Sequence, residues 1–72
     1  MREREVVENN VYKFRSERDV TQEELGDVLG VSRQTIIAIE RGNYTPSVML
    51  ALKIAEFFRQ PVEKVFKIIK NK

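Results

Sequence analysis

The sequence predicts an all-α fold, a five-helix bundle whose C-terminal tail either extends the last helix or forms a short β-strand. Three observations lead there. Apolar residues recur at intervals of three and four rather than two. Residues suited to cap a helix, Thr21, Ser32 and Ser47, precede the apolar stripes, and Gly30 and Gly42 stand where two of those stripes end. Pro46 and Pro61 divide the second half into segments, since the residue before a proline is pushed out of the helical region. No segment before the tail reads as a strand.

The first helix rests on Val7, Val11 and Phe14, and its pattern stops near Arg18 and Asp19. The second opens with Thr21 and Glu24, the spacing of a capping box, and carries Leu25, Val28 and Leu29 before Gly30. The third follows almost at once, with Ser32 as its cap, Ile36 and Ile39 as its inward stripe and Gly42 at its end. Asn43 to Pro46 is a loop. Ser47 caps a fourth helix with Leu50, Ala51, Ile54, Ala55 and Phe58 on one side. Pro61 suits the first turn of a short fifth helix bearing Val62, Val65 and Phe66.

Composition narrows the function. A chain of 72 residues holds one domain, here 1–72, and a domain this small is marginal without a disulfide, a metal or a partner subunit. There is no Cys and no His, so disulfides, thiolate ligands and imidazole ligands are all excluded. A partner subunit remains. The same absences remove the commonest general base and the best nucleophile, so the sequence reads as no enzyme, with no catalytic residue, no metal and no cofactor. The longest apolar run, Val48 to Leu52, is five residues, far short of the roughly 18 of a membrane span. With no apolar leader in MREREVVENN, the expected location is cytoplasmic.

The 13 basic and 11 acidic residues give a net charge of +2 that hides a gradient. Residues 1–20 are balanced, while 21–31 hold Glu23, Glu24 and Asp27 with no basic residue. Residues 47–72 carry six basic groups against Glu56 and Glu63. One end is thus positive enough to meet a polyanion.

Residues 21–42, TQEELGDVLGVSRQTIIAIERG, are the informative unit. Two capped helices of about two turns, joined only by Gly30 and Val31, have the form of a helix-turn-helix, whose second helix enters the major groove of DNA. Gly26 allows the two helices to cross closely, and Gly30 takes a positive φ without a Cβ clash. With this string and PSVMLALKIAEFF, the sequence resembles the Xre family of regulators, which share the helix-turn-helix fold of the lambda Cro and CI repressors. The likeness runs from about Val11 to Phe66. It implies a five-helix, lambda-repressor-like domain that binds operator DNA as a dimer, and an ion pair between Arg15 and Glu40. Asp19 and Arg59 stand where the family more often has a helix-ending glycine, and Gly26 where it more often has alanine.

If Ile36, Ile39 and Glu40 face inward, Arg33, Gln34, Ile37, Ala38 and Arg41 face solvent. Arg33 and Gln34 lie at the N-terminal end, where a recognition helix touches base edges. Arginine suits guanine O6 and N7, glutamine suits adenine N6 and N7, and Ile37 suits a thymine methyl. Base readers are therefore Arg33, Gln34, Ile37 and Ala38. Gln22 and Ser32 begin their helices, where amides meet phosphate oxygens, and likeness to the family adds Arg41, Asn43 and Tyr44 as backbone contacts. The acidic triplet of the second helix is expected to point away from DNA.

Val65, Phe66, Ile68 and Ile69 form a dense apolar cluster at the terminus, in which Val65 and Phe66 also suit closing the core. Ile68 and Ile69 are adjacent and cannot share one face, so a homodimer interface is expected in the fifth helix and the tail 67–72. Two recognition helices would then meet half-sites about 34 Å apart on a near-palindromic operator. With no segment left over for a ligand or activation domain, the regulator is expected to be a repressor. An antitoxin-type protein-interaction module on the same fold is the alternative reading.

Overall fold

The computed structural model describes residues 4–71. The chain runs β1 (Arg4–Asn9), α1 (Val11–Glu17), α2 (Gln22–Leu29), α3 (Arg33–Glu40), α4 (Val48–Phe58), α5 (Val62–Val65) and β2 (Phe66–Asn71). All five expected helices are present. The fold is nevertheless not purely helical, because β1 and β2 pair antiparallel from Arg4↔Asn71 to Asn9↔Phe66. Val7, expected on the first helix, belongs to β1, so α1 starts four residues later at Val11. Phe66 likewise leaves α5 and opens β2. Of the residues assigned to the domain and its tail, 1–3 and Lys72 lie outside the described residues.

Local chemistry explains each boundary of the central helix pair. Thr21 Oγ1 accepts the Glu24 N–H at 3.0 Å, and Glu24 Oε1 accepts the Thr21 N–H at 2.9 Å, a complete capping box. Gly30 ends α2 at φ 77°. The Gly26 carbonyl accepts the Val31 N–H at 2.9 Å. A Cβ on Gly26 would lie 2.7 Å from the Val31 carbonyl oxygen, so this turn is folded directly onto a position with no side chain. Ser32 Oγ accepts the Thr35 N–H at 3.2 Å and starts α3, and Ser47 Oγ does the same for Leu50 at 3.1 Å in α4. Lys53 Nζ, on α4, donates to the Leu29 carbonyl at 2.9 Å and satisfies the end of α2.

Asp19 and Arg59 both take the left-handed conformation at φ 54°, confirming that they do the work of a helix-ending glycine. Arg18 reinforces the second of these turns. Its Nη2 donates to the Phe58 carbonyl at 2.7 Å and its Nη1 to the Phe57 carbonyl at 3.3 Å.

The core holds one residue from α1, Val11, with Leu25, Leu29, Ile36, Ile39, Leu50, Ile54, Ala55, Phe58 and Val65. Phe14 packs on it, its ring 5.8 Å from that of Phe58. Val28 breaks the expected stripe of α2. It is 61% exposed at the border with α4, where it lines a shallow groove with Lys53, Glu56 and Phe57, while Leu25 and Leu29 take the buried side of α2. Val65 is fully buried and has no surface left for a partner, which removes it from the expected dimer interface.

Candidate nucleic-acid interface

One face of the bundle gathers α3 with the ends of α1 and α2. Tyr12, Arg15, Gln22, Arg33, Ile37, Glu40 and Arg41 line a single open groove there. Arg33, Ile37 and Arg41 are four residues apart and form its α3 wall. Arg33 also borders a second groove, between the end of α1 and the start of α2, with Gln22 and Glu23. Of the acidic triplet, Glu23 thus borders a groove that reaches Arg33.

The groove has a rigid floor. Arg15 Nε donates to Glu40 Oε2 at 2.7 Å and Nη2 to Glu40 Oε1 at 3.1 Å, while Nη1 reaches the Val20 carbonyl at 3.0 Å. Both side chains are largely buried, at 13% and 8% exposure. The Glu40 carboxylate holds the Arg15 guanidinium still further above its already high range, outweighing the opposite push of burial. Gln22 Nε2 adds a donor to Glu40 Oε1 at 3.0 Å. One carboxylate on α3 thus collects donors from α1 and α2, and the family ion pair becomes a three-helix junction.

On α3, Ser32, Arg33 and Gln34 are exposed at the N-terminal end, and Arg41, Asn43 and Tyr44 are exposed beyond its C-terminus. Ile37 and Ala38, expected toward solvent, are half-buried, and Ile37 lines the groove. Ser32 spends its hydroxyl on the Thr35 cap, and Gln22 spends an amide hydrogen on Glu40. Each keeps atoms free for another contact, but neither is a loose surface side chain.

Tyr12 was not legible as part of this face. It is 63% exposed, lines the groove and lies with its ring 5.2 Å from the Arg15 guanidinium carbon. An exposed aromatic three residues before the ion-pair arginine was the available signal. Asn9 was missed as well. Its Nδ2 donates to the Ile39 carbonyl near the end of α3 at 2.8 Å.

Two short capped helices crossing at Gly26, with the second presenting Arg33 and Gln34 outward, define a helix-turn-helix domain. A family model described as helix-turn-helix matches residues 11–65. MJ0272 of Methanocaldococcus jannaschii, an uncharacterised HTH-type transcriptional regulator, is 52% identical over 60 residues, covering 83% of this chain and 91% of that protein. RstR of Vibrio cholerae, a cryptic phage CTXphi transcriptional repressor, is 32% identical over 57 residues, covering 79% of this chain but only 51% of RstR. A crystal structure from Bacteroides fragilis superposes with a TM-score of 0.78 over 86% of this chain and all of the other, at 21% identity, a likeness of fold alone. The chain belongs to the Xre-type helix-turn-helix family and is a transcriptional regulator built on a helix-turn-helix DNA-binding domain. Among the described residues no helix is long and apolar enough to cross a membrane, and no group of three or more acidic side chains is placed to hold a metal ion.

Proposed function

We propose that this regulator is a sequence-specific repressor that binds a near-palindromic operator in double-stranded DNA as a homodimer. The observation that carries the reading is α3 itself. Its inner side is locked by Ile36, Ile39 and the Arg15–Glu40–Gln22 junction, while Arg33 and Gln34 stand free at the end that approaches base edges. Arg33 and Gln34 read bases, and the half-buried Ile37 and Ala38 offer an apolar floor against a thymine methyl. Gln22 and Ser32 before these residues and Arg41, Asn43 and Tyr44 after them take the phosphates. The sign of regulation, repression, rests on the likeness to RstR.

The terminal ribbon supports the two-fold. An isolated two-stranded sheet is marginal in water, yet this one leaves apolar pairs on both faces. Val6 and Ile69 are 39% and 37% exposed on one, Val7 and Ile68 are 37% and 70% exposed on the other. Its cross-strand pairs Glu5↔Lys70 and Glu8↔Lys67 offset one another, which leaves Arg4 as the one uncompensated charge of the two strands and the apolar pairs as their main feature. A second copy of the chain suits it, with Ile68, Ile69 and part of Phe66 from the tail and Val6 and Val7 from β1. Selection of bound duplexes from a random DNA pool tests the whole reading. The expected product is a two-fold-related pair of half-sites about one helical turn apart. Recovery of unrelated sequences, or of a single unrepeated site, would sink it.

A further inference from the structure

Asn9 ends β1, and its side chain reaches in two directions. Its Oδ1 accepts the Val11 N–H, the first amide of α1, at 3.1 Å, while its Nδ2 donates at 2.8 Å to the Ile39 carbonyl, thirty residues along the chain. That same Ile39 carbonyl accepts the Gly42 N–H at 3.0 Å, the bond that turns the chain out of α3. Next to it, the Asn10 N–H donates to the Val65 carbonyl at 2.8 Å and Asn10 Nδ2 to the Lys64 carbonyl at 3.0 Å. Asn9 is held in turn by its register partner Phe66, the first residue of β2. The base of the ribbon, made from both ends of the chain, is therefore bonded directly to the C-terminal turn of the helix that presents Arg33 and Gln34.

We infer that Asn9 is a positioning residue for DNA reading, tethering the C-terminal turn of α3 to the terminal ribbon so that the helix holds one angle against the bases. The inference rests on the assignment of α3 as the reading helix. An eight-residue helix cannot keep its own direction and takes it from what holds its ends. At the N-terminal end the holder is its own cap, Ser32. At the other end Glu40 is held by Arg15 on one side and Ile39 by Asn9 on the other. A small tilt matters unequally for the two kinds of contact. Bidentate bonds to base edges need a fixed geometry, whereas phosphate contacts tolerate a shift because they depend mainly on charge. Loss of the tether should therefore lower selectivity and leave charge-driven binding in place.

Asn9→Asp in the full chain separates the two bonds. It keeps an oxygen for the Val11 N–H and removes the donor to Ile39. Binding is measured on a duplex recovered by selection and on a scrambled duplex, at a temperature where circular dichroism shows the variant folded. The expected result is a loss on the selected duplex about three- to tenfold greater than on the scrambled duplex, where only the added charge acts. In the free protein, exchange of the Gly42 amide should quicken relative to the Ile54 amide. Asn9→Ser, which retains a small oxygen for α1 but cannot span to Ile39, should give the same pattern if the aspartate variant folds poorly. Unchanged preference for the selected duplex in a folded variant would overturn the inference. So would an equal loss on both duplexes with Gly42 exchange unaltered, the mark of a merely structural asparagine. If the wild-type chain selects no duplex at all, the reading assignment falls and takes this inference with it. Quickened Gly42 exchange in the variant would then still show that Asn9 holds this turn in the wild type, so the two failures are told apart.

Discussion

Arg33 and Arg41 stand at opposite ends of α3 and line one groove, but their expected roles differ. Arg33 is the first residue of the helix, the end that the proposed reading sets against base edges. Arg33→Ala should cost about 1–3 kcal/mol at one base position and relax the preference there. Arg41 caps the other end, and Arg41→Ala should weaken binding to all duplexes alike and flatten the salt dependence by roughly one unit. Titrations on operator variants at several salt concentrations distinguish the two. A sequence-selective loss at Arg41, or a uniform one at Arg33, would exchange their assignments. Both residues were legible in the sequence, because the motif fixes which end of the helix is which. Tyr12 was not, since nothing in a helical stripe says which exposed residue borders a groove made by two other helices.

Among the elements, α2 owes its start to a reciprocal bond pair and its direction to a carboxylate on its neighbour. In the capping box, the Thr21 backbone N–H and then the Thr21 hydroxyl hold the Glu24 carboxyl below the usual carboxylate range. A lowered folded pKa means that the contribution is present above the unfolded value and disappears as pH falls through the folded one. The difference in Tm between wild type and Glu24→Gln should therefore be present at neutral pH and close below about pH 4. A difference that is constant with pH would show the charge of Glu24 to be irrelevant to the cap. The Arg15–Glu40 pair joins α1 to α3, and Gln22 brings in α2. Arg15→Met leaves a largely buried carboxylate with one neutral donor and should cost about 3 kcal/mol, at the low end of the range because Arg15 borders an open groove. Combining it with Glu40→Leu should recover most of that loss in urea denaturation, since the uncompensated charge goes too. If the double variant is as unstable as the single, the cost lies in packing rather than charge.

For the whole molecule, the body measures 42 by 23 by 21 Å, with a long axis that fits a six-residue ribbon of about 20 Å standing off a helical bundle. The apolar pairs on that ribbon place the prediction of a dimer at this scale. A chain ending at Lys67 loses Ile68 and Ile69, the partners of Val7 and Val6, and should sediment as a monomer at micromolar concentration. Because shortening β2 also frees β1, the Val7→Thr/Ile68→Thr double variant is the companion. Threonine keeps the β-branched shape that suits a strand while making the face polar. A dimer that survives both changes lies elsewhere on the surface.

What the sequence determined by itself was local. Caps, stripes and turn residues placed five helices, and the order Gly26, Gly30, Ile36, Ile39 made the pair at their centre a helix-turn-helix, because each of those signals acts within one or two turns of the chain. Asp19 and Arg59 were legible as turn residues only through the likeness to the family, which more often has a helix-ending glycine at those positions. Only the tertiary structure decided the rest. Val6 and Val7 are flanked by charged residues and show no alternation, so their strand exists only because residues 66–71 lie beside them. Val28 lies outside the core at the border with α4, and Gln22 and Asn9 gained roles through bonds to residues 18 and 30 positions away. A hydrogen bond or a covered face between distant segments leaves no periodicity in either, and this is why the ribbon and its tether to α3 appear only when the chain is folded.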